Sequence, residues 1–446
     1  MHAGRANRSK MWTSVVGIAR WFLPGLGVKR WFAVVLAGIT LLGVGLAILL
    51  IDLYRTESSN ETVLTLLSYA SLRFLPRLVR VLIFGGLGVG LVLYGIWRLN
   101  RSILRPFIRP GRTVVEQLAD YRRLDRGPRV VVIGGGHGLA SVLRGLKEHT
   151  RHLTAVVTVA DDGGSSGRLR QSLGILPPGD IRNSLAALSD DEAMLTQLFQ
   201  YRFSGAPGLN GHSFGNLFIT ALAEITGSFE QAVVESGRVL SVHGRVLPST
   251  LHNVRLVADI EVAHSPNEVR VAGESAIPQV AGRIRRVWLE PSDSPAFPPV
   301  VNALLKADLI VVGPGSLYTS LLPTLLVRDV VDAMRASRAP KILVCNVATQ
   351  PGETDSYDCG DHVQALESHV GEDLFDVILC NERYDALLSL PAEWVRADNQ
   401  MLDDPRLYST DLVDVERPWR HDAAKLGQTL INLLYERTGP LNERAD

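Results

Sequence analysis

The 446-residue sequence contains little cysteine, and its cysteines form none of the common metal-binding or redox motifs. Cys345, Cys359 and Cys380 are too far apart for a C-x-x-C pair. The sequence also lacks an H-E-x-x-H motif or a His/Cys cluster, so nothing indicates a zinc site. Cys345 and Cys380 lie in apolar runs typical of strands. We expect both to be buried as small apolar side chains, with the thiols reduced as in a cytoplasmic domain.

The chain has no net charge, because 46 Lys and Arg balance 46 Asp and Glu. The charges are unevenly distributed. Residues 1–127 contain 18 basic and 6 acidic side chains, whereas residues 128–446 contain 28 basic and 40 acidic ones. Nucleic-acid binding needs a basic surface, so the acidic C-terminal part predicts no nucleic-acid partner.

Two long uncharged runs account for the different character of the N-terminal part. Residues 31–51 contain no charge, and residues 81–97 form a second run that extends back to residue 79. A signal peptide is the alternative for the first run, although a basic leader of 30 residues precedes it. We predict two transmembrane helices, about 31–51 and 79–97, forming a hairpin in the bilayer. Lys and Arg are concentrated outside this hairpin, which predicts a two-span cell-membrane protein with both termini and the globular domain in the cytoplasm.

Strand and helix patterns alternate from residue 128 onwards. Such alternation predicts an α/β domain with a doubly wound, Rossmann-like parallel sheet at residues 128–436. Short alternating strands between residues 245 and 290 predict a small β-rich insertion. The membrane anchor and a linker then occupy residues 1–127, and residues 437–446 are expected to form a flexible tail.

Two glycine-rich turns each follow a predicted strand and precede a predicted helix. Val130–Ile133 leads into Gly134–Gly138, and Leu309–Val312 leads into a second turn at residues 313–316. Backbone N–H groups at such helix N-termini bind phosphate. The first turn lacks the Lys-Ser/Thr of a P-loop, and Leu139 replaces the third glycine of G-x-G-x-x-G. Two turns favour a diphosphate ligand, with plain β-to-α turns as the alternative. The predicted phosphate-binding residues are Gly135, Gly136, His137, Gly138, Gly313, Gly315 and Ser316.

A pair of carboxylates follows the second predicted strand, Leu153–Ala160. Asp161 and Asp162 stand directly before the glycine-rich run Gly163–Gly167. The pair has three interpretations. One carboxylate could contact a ribose or acceptor hydroxyl, the two could hold Mg²⁺ beside a diphosphate, or they could cap the turn without any ligand.

Further polar residues begin the next helices. Asp180 is a candidate N-cap, and Arg182, followed by Asn183, could bind a phosphate through two hydrogen bonds. Residues 211–215 match the G-x-S-x-G motif of serine hydrolases, but a loop precedes them where that motif needs a strand. We therefore predict that His212, Ser213 and Asn216 donate or accept hydrogen bonds at a ligand cleft. A purely structural His212 is the alternative.

Seven motifs occur in one order: GGGHGL, VTVADDGGSSGRLR, LPPGDIRNSL, GHSFGNL, GRVLPST, GPGSLYTSLLP and TQPGETD. Together they resemble the bacterial gluconeogenesis factor family, within the superfamily of 2-phospho-L-lactate transferase-like proteins. The resemblance extends from about residue 129 to about residue 383. Members of that family usually have a small hydroxyl residue where this chain has His137.

The resemblance implies a function as well as a fold. It implies a regulator of carbon metabolism, cell shape and envelope synthesis that binds a nucleotide diphosphate ligand, with UDP-N-acetylglucosamine favoured. The alternative is a transferase that moves a phospholactyl group from a nucleoside diphospholactate to an acceptor hydroxyl. In that case Asp161 or Asp162 would be catalytic, with Mg²⁺ assisting. The oligomeric state, including a homo-oligomer, stays open.

Overall fold

The computed structural model describes residues 28–53, 69, 72, 74–104, 122–189, 192–205, 208–262, 268–385, 388 and 392–439. The chain divides into two compact units, residues 1–120 and residues 121–446. The last described helix continues to Thr438, two residues into the tail predicted from residue 437. The rest of that tail, from residue 440, lies outside the described residues.

The first unit contains two apolar helices, α1 (Val28–Leu53) and α2 (Arg77–Leu104). They cross at two glycines: a Cβ atom at Gly88 would lie 2.5 Å from Leu42 Cγ, and one at Gly38 would lie 3.0 Å from the backbone nitrogen of Val92. The helices can therefore approach this closely only without side chains at these positions.

Both predicted membrane spans lie within helices, the first within α1 and the second within α2. Residues 78–99 of α2 are long and apolar enough to cross a membrane, by length and composition alone. The described apolar part of α1, Ala33–Ala47, is shorter. The predicted two-span topology is therefore not confirmed.

Within the described residues of the second unit, ten strands form two sheets. They are β1 (Val130–Gly134), β2 (Leu153–Val157), β3 (Arg245–Pro248), β4 (Arg255–Glu261), β5 (Val269–Ala272), β6 (Arg283–Glu290), β7 (Leu309–Val312), β8 (Lys341–Val344), β9 (Val377–Asn381) and β10 (Leu407–Thr410). Seven strands pair in parallel in the order β10-β9-β8-β7-β1-β2-β3. The other three form an antiparallel sheet, β5-β4-β6, at the position of the predicted insertion.

Helices cover both faces of the parallel sheet. They are α3 (Gly136–Leu146), α4 (Gly164–Leu173), α5 (Gly179–Leu188), α6 (Glu192–Gln200), α7 (Phe214–Thr226), α8 (Phe229–Val239), α9 (Pro298–Leu305), α10 (Leu322–Leu325), α11 (Arg328–Ala336), α12 (Cys359–Val370), α13 (Asn399–Leu402) and α14 (Ala423–Thr438). Alternate residues of β1 belong to different apolar cores: Val131 and Ile133 to one, Val130 and Val132 to the other. The sheet is thus buried on both faces, which explains the unbroken apolar runs.

The strand order places a topological switch point between β1 and β7. After β1 the chain adds β2 and β3 on one side, then crosses to β7 and continues outward to β10. In open α/β sheets, ligands bind in the crevice beyond the carboxyl ends of the strands at such a point. The two predicted glycine turns follow β1 and β7 and therefore flank this crevice.

Candidate functional site

The two glycine turns lie backbone to backbone at the switch point. A Cβ atom added at Gly138 would lie 2.3 Å from the carbonyl oxygen of Pro314. One added at Gly315 would lie 3.5 Å from the carbonyl oxygen of Gly135. We predicted that the two turns form separate phosphate-binding sites on opposite sides of a cleft. The structure instead joins the two turns into one continuous surface, because glycines at the contact let the main chains touch.

A cleft of about 590 Å³ opens beside the joined turns. Residues 135–138 and 314–316 line one side of it, residues 346–351 after β8 line the next, and Ala392 with Trp419, Arg420 and His421 completes it. Its size is in the range typical of small-molecule sites. Of the predicted phosphate-binding residues, all but Gly313 in the two turns line this cleft.

Two glycine N–H groups of the turns already have acceptors within the protein. The Gly136 N–H donates to Asp180 Oδ1 at 2.9 Å, and the Gly315 N–H donates to Asn346 Oδ1 at 3.0 Å. Asn346 also donates from Nδ2 to the carbonyl oxygen of Gly315 at 2.9 Å, so its amide group holds both sides of that residue. The predicted roles of Gly136 and Gly315 as phosphate donors would require these contacts to break.

Other N–H groups of the turns are available to a ligand. Within the described residues, no acceptor lies within hydrogen-bond distance of the backbone N–H of His137, Gly138 or Ser316. His137 and Gly138 belong to the first turn of α3, where N–H groups have no partner inside the helix. The cleft therefore presents three backbone donors from two different turns, an arrangement suited to phosphate oxygens.

Arg420 adds a positive charge to the cleft. Within the described part of the chain, no carboxylate lies within salt-bridge distance of its guanidinium group. Burial lowers the pKa of His137, and the charges of Arg420, Arg144 and Arg182 lower it further. His137 is therefore neutral at pH 7, and Arg420 is the cationic side chain that faces the cleft. An unpaired guanidinium beside free N–H groups favours an anionic ligand.

The predicted acidic pair does not line the cleft. Asp161 Oδ1 accepts a hydrogen bond from the Gly163 N–H at 2.9 Å. Asp162 Oδ1 accepts one from the Ser275 N–H at 2.9 Å and one from the Ser275 hydroxyl at 2.7 Å. Asp161 thus caps the turn that follows it, whereas Asp162 binds the loop at Ser275. A catalytic or metal-binding role for them stays a prediction.

Negative charge accumulates around this pair. Burial, together with the charges of Asp161 and Asp162, raises the pKa of Glu274 to about 8. Burial also raises the pKa of Asp161. Within the described residues, however, only the three cysteines bring three metal-ligand atoms within 4.8 Å of one another. The carboxylates therefore form no complete cage, and they fit Mg²⁺ only if a phosphate supplies further oxygens.

Arg182 and Asn183 lie behind the cleft rather than in its lining. Arg182 is buried and donates to the Ser213 hydroxyl and to Asn183 Oδ1. Ser213 caps α7 by accepting the N–H of Asn216. Asp180, predicted as an N-cap, is instead the second residue of α5, and its side chain reaches α3. Asp180 thus binds the first glycine turn, and direct ligand contacts by Arg182, Asn183, Ser213 and Asn216 stay predictions.

The hydrogen bonds of His212 argue against serine nucleophile chemistry. Arg168 donates from Nε to His212 Nε2 at 3.3 Å, so that ring nitrogen must accept and carries no proton. Burial lowers the pKa of His212, so the ring is neutral with its proton on Nδ1, which lies 3.0 Å from Ser165 Oγ. Asn216 Nδ2 also donates to Ser165 Oγ, at 3.1 Å. His212 therefore donates to Ser165 and, in the described part of the chain, makes no side-chain hydrogen bond to Ser213, the serine of the G-x-S-x-G motif. The Ser213 hydroxyl accepts from Arg182 and from the Asn216 N–H, so within the described residues no general base contacts the motif serine.

Comparison with known proteins agrees with the motifs. The family profile described as "2-phospho-L-lactate transferase CofD" matches residues 130–429. A putative gluconeogenesis factor from Nostoc sp. is 49% identical over 376 residues, covering 83% of this chain and 80% of its own length. This chain belongs to the gluconeogenesis factor family. The family resemblance inferred from the seven motifs is thereby confirmed.

Other family members resemble the second unit over most of their own length. The gluconeogenesis factor from Bacillus subtilis is 43% identical, and the match covers 69% of this chain and 99% of the relative. A crystal structure of a UPF0052 family protein from Bacillus halodurans matches with a TM-score of 0.64 at 43% identity, covering 69% of this chain and 99% of that one. The α/β fold of the second unit is therefore that of the gluconeogenesis factor family.

Several residues that line the cleft were not predicted as site residues. Asn346 and Gln350 follow β8 at the same sheet edge as the glycine turns, so their position after an apolar run was a usable signal. Trp419 and Arg420 lie in an irregular segment between β10 and α14. No strand or helix pattern points to this segment, and only the tertiary fold brings it to the cleft.

Asp180 should make the stability of the protein depend on pH. Burial, with the negative charge of Asp161, raises its pKa to about 6, so the folded protein retains this proton at pH values where the unfolded chain has lost it. The free energy of unfolding therefore falls as the pH rises from about 4 to about 6. Asp180→Asn removes this titration. The stability of wild type relative to the variant should drop on the order of 2 kcal/mol between pH 4 and pH 7.

Chemical denaturation at several pH values measures this difference. Asp403→Asn, at an exposed position, is the matched control and should leave the pH dependence of wild type unchanged. A constant stability difference between wild type and Asp180→Asn across this pH range would show that Asp180 does not hold a proton there.

Proposed function

We propose that the second unit binds a UDP-sugar, with UDP-N-acetylglucosamine favoured, and that the protein acts as a regulator of carbon metabolism, cell shape and envelope synthesis. The diphosphate would bind at the joined glycine turns. The observation that supports this proposal most strongly is the convergence of three free backbone N–H groups and an unpaired Arg420 on one cleft at the switch point.

The shape of the cleft supports a ligand larger than a single phosphate. It extends from the glycine turns to Trp419, an aromatic ring that is about half exposed and able to stack on a base or sugar. Asn346 and Gln350 also line the cleft. A nucleotide sugar has a group for each end of the cleft: a base that can stack on the aromatic ring and a diphosphate that can accept hydrogen bonds from the glycine turns.

Calorimetric titration of the full-length protein in detergent tests the ligand. The ligands are UDP-N-acetylglucosamine, GDP and NAD, each with and without Mg²⁺. We expect saturable 1:1 binding of the UDP-sugar, no product by chromatography after prolonged incubation, and much weaker binding of the other two. Absence of binding for all three would refute the nucleotide site.

A transferase of the 2-phospho-L-lactate type is the second candidate, and the matching family profile favours it. In that function Asp161 or Asp162 would orient the acceptor hydroxyl, and Mg²⁺ would neutralise the diphosphate charge. Both carboxylates would have to exchange their present loop contacts for ligand contacts. A preference for GDP that depends on Mg²⁺ and is lost in Asp161→Asn would support this candidate over the regulator.

We also propose that the first unit anchors the protein to the cell membrane through the hairpin of α1 and α2, with the second unit in the cytoplasm. Support comes from the large apolar side chains that both helices expose, including Leu36, Leu46, Leu82 and Leu93. Fractionation of cells tests this proposal. The full-length chain should remain in the membrane pellet after a high-salt or alkaline wash and should dissolve in detergent, whereas release by the wash would contradict an integral anchor.

A further inference from the structure

Three cysteines converge within the core behind the cleft. Cys345 follows β8, Cys380 lies in the neighbouring strand β9, and Cys359 is the first residue of α12, which packs on the same face of the sheet. All three side chains are buried, and their Sγ atoms lie within 4.8 Å of one another. Cys359 and Cys380 form a disulfide, and Cys345 Sγ lies 3.2 Å from Cys359 Sγ.

This arrangement differs from the expected reduced thiols, and sequence spacing could not have revealed it. The burial predicted for Cys345 and Cys380 is confirmed. The three residues become neighbours because β8 and β9 pair in parallel, with the Cys345 N–H donating to the Leu379 carbonyl at 3.0 Å, and because α12 begins directly above that pair. Cys359 therefore has two cysteine neighbours within reach.

The choice of partner for Cys359 matters for the cleft. Cys345 and Cys359 bracket the segment 346–358, whose first residues form a wall of the cleft. That segment binds the second glycine turn and the residues that follow it. Asn346 binds the Gly315 backbone, and the buried Glu353 accepts hydrogen bonds from the Tyr318 N–H at 3.2 Å and from the Thr319 hydroxyl at 2.8 Å.

We propose that Cys345, Cys359 and Cys380 form a thiol–disulfide exchange site in which Cys359 bonds to either neighbour, and that the Cys345–Cys359 bond ties together the ends of the cleft wall 346–358. In the exchange, the Cys345 thiolate attacks Cys359 Sγ, a new Cys345–Cys359 bond forms, and the Cys359–Cys380 bond breaks. Cys380 leaves as a thiolate and takes up the proton that Cys345 lost. The step needs no external oxidant or reductant.

The exchange is expected to be slow at neutral pH. Burial, together with the charge of Asp358, raises the pKa of the Cys345 thiol to about 12, so little thiolate is present. Uncatalysed rearrangements of this kind take minutes to hours, which allows both pairings to be trapped and separated. Formation of either disulfide from the three thiols transfers two electrons and two protons to an oxidant, for which an azo compound such as diamide serves in the test.

Two matched variants of the full-length protein each leave one pairing. Cys345→Ser retains only Cys359–Cys380, and Cys380→Ser retains only Cys345–Cys359. After diamide treatment, alkylation and non-reducing peptide mapping, we expect each variant to contain its remaining disulfide. Oxidation of Cys380→Ser should increase hydrogen-exchange protection of residues 346–358 about tenfold, whereas oxidation of Cys345→Ser should change it less than about twofold.

Wild-type protein provides a measurement that does not depend on either variant folding. After oxidation, incubation and alkylation, the preparation should contain two kinds of molecule, one with the Cys359–Cys380 disulfide and one with the Cys345–Cys359 disulfide. Either of two results would overturn the proposal: only the Cys359–Cys380 peptide in the wild type after hours of incubation, or two free thiols in oxidised Cys380→Ser. None of these measurements involves a nucleotide, so their failure is distinguishable from failure of the proposed ligand site.

Discussion

Replacing Arg420 by alanine should weaken the binding of UDP-N-acetylglucosamine by about 30- to 100-fold, the effect of losing one charge-assisted hydrogen-bonded contact to phosphate. The guanidinium group faces the cleft without a carboxylate partner, so its removal leaves no buried charge unpaired within the described residues. The loss should therefore appear in affinity and not in stability. Calorimetric titration and thermal unfolding of the same preparation separate the two quantities.

Arg417→Ala is the matched control for this experiment. Arg417 lies on the same segment, three residues earlier, but is exposed and does not line the cleft. Its replacement should change affinity by less than about twofold, because screened surface charges contribute little. Equal losses in the two variants would point to long-range attraction by the segment as a whole, and no loss in Arg420→Ala would place the diphosphate elsewhere.

The replacement of Gly138 by alanine should abolish binding, with a loss of at least about 100-fold, and destabilise the protein by about 3 kcal/mol. A Cβ atom there would lie 2.3 Å from the Pro314 oxygen and 2.7 Å from the Pro314 carbonyl carbon. Both neighbours are backbone atoms, so no side-chain rotation can relieve the contact. The turns must separate, which disperses the N–H groups that we propose bind the diphosphate.

Gly237→Ala is the matched control for this substitution. Gly237 lies within α8, and a Cβ atom there would meet its nearest neighbours, side-chain carbons of Leu185 and Val242, at an ordinary 3.8 Å. Alanine has the higher helix propensity, so this variant should gain about 0.5–1 kcal/mol of stability and bind normally. Denaturant unfolding measures the stability of both variants, and calorimetric titration measures their affinity for the UDP-sugar. Normal binding by Gly138→Ala would show that contact between the turns is not needed for the site.

The internal contacts of the glycine turns suggest why the site can be built without a ligand. Asp180 and Asn346 place side-chain oxygens on the N–H groups of Gly136 and Gly315, so the peptide groups deepest in the turns are already hydrogen-bonded. Buried backbone donors are otherwise costly. The side chains of Asp180 and Asn346 thus stabilise the conformation of the turns, and the N–H groups that face the cleft stay available to a ligand.

Local patterns predicted the strands nearest the site closely. The apolar runs at Val130–Ile133 and Leu309–Val312 became β1 and β7 almost residue for residue. β8 ends at Val344, and residues 346–351 beyond it form a wall of the cleft. β3 lies in the region of the predicted β-rich insertion but belongs to the parallel sheet, and β10, which has no run of buried residues, was not predicted. Short strands at the sheet edges give little periodicity to detect.

The sequence by itself determined the family, the α/β class, the two glycine turns and the acidic pair, because these depend on residues adjacent in the chain and on apolar runs that only a sheet buried on both faces requires. The tertiary structure decided which of these meet. It joined the two turns, brought in Asn346 and Arg420, placed Asp161 and Asp162 outside the cleft, and gathered three distant cysteines. Contacts between residues far apart in sequence depend on strand order and helix packing, and no local pattern records them.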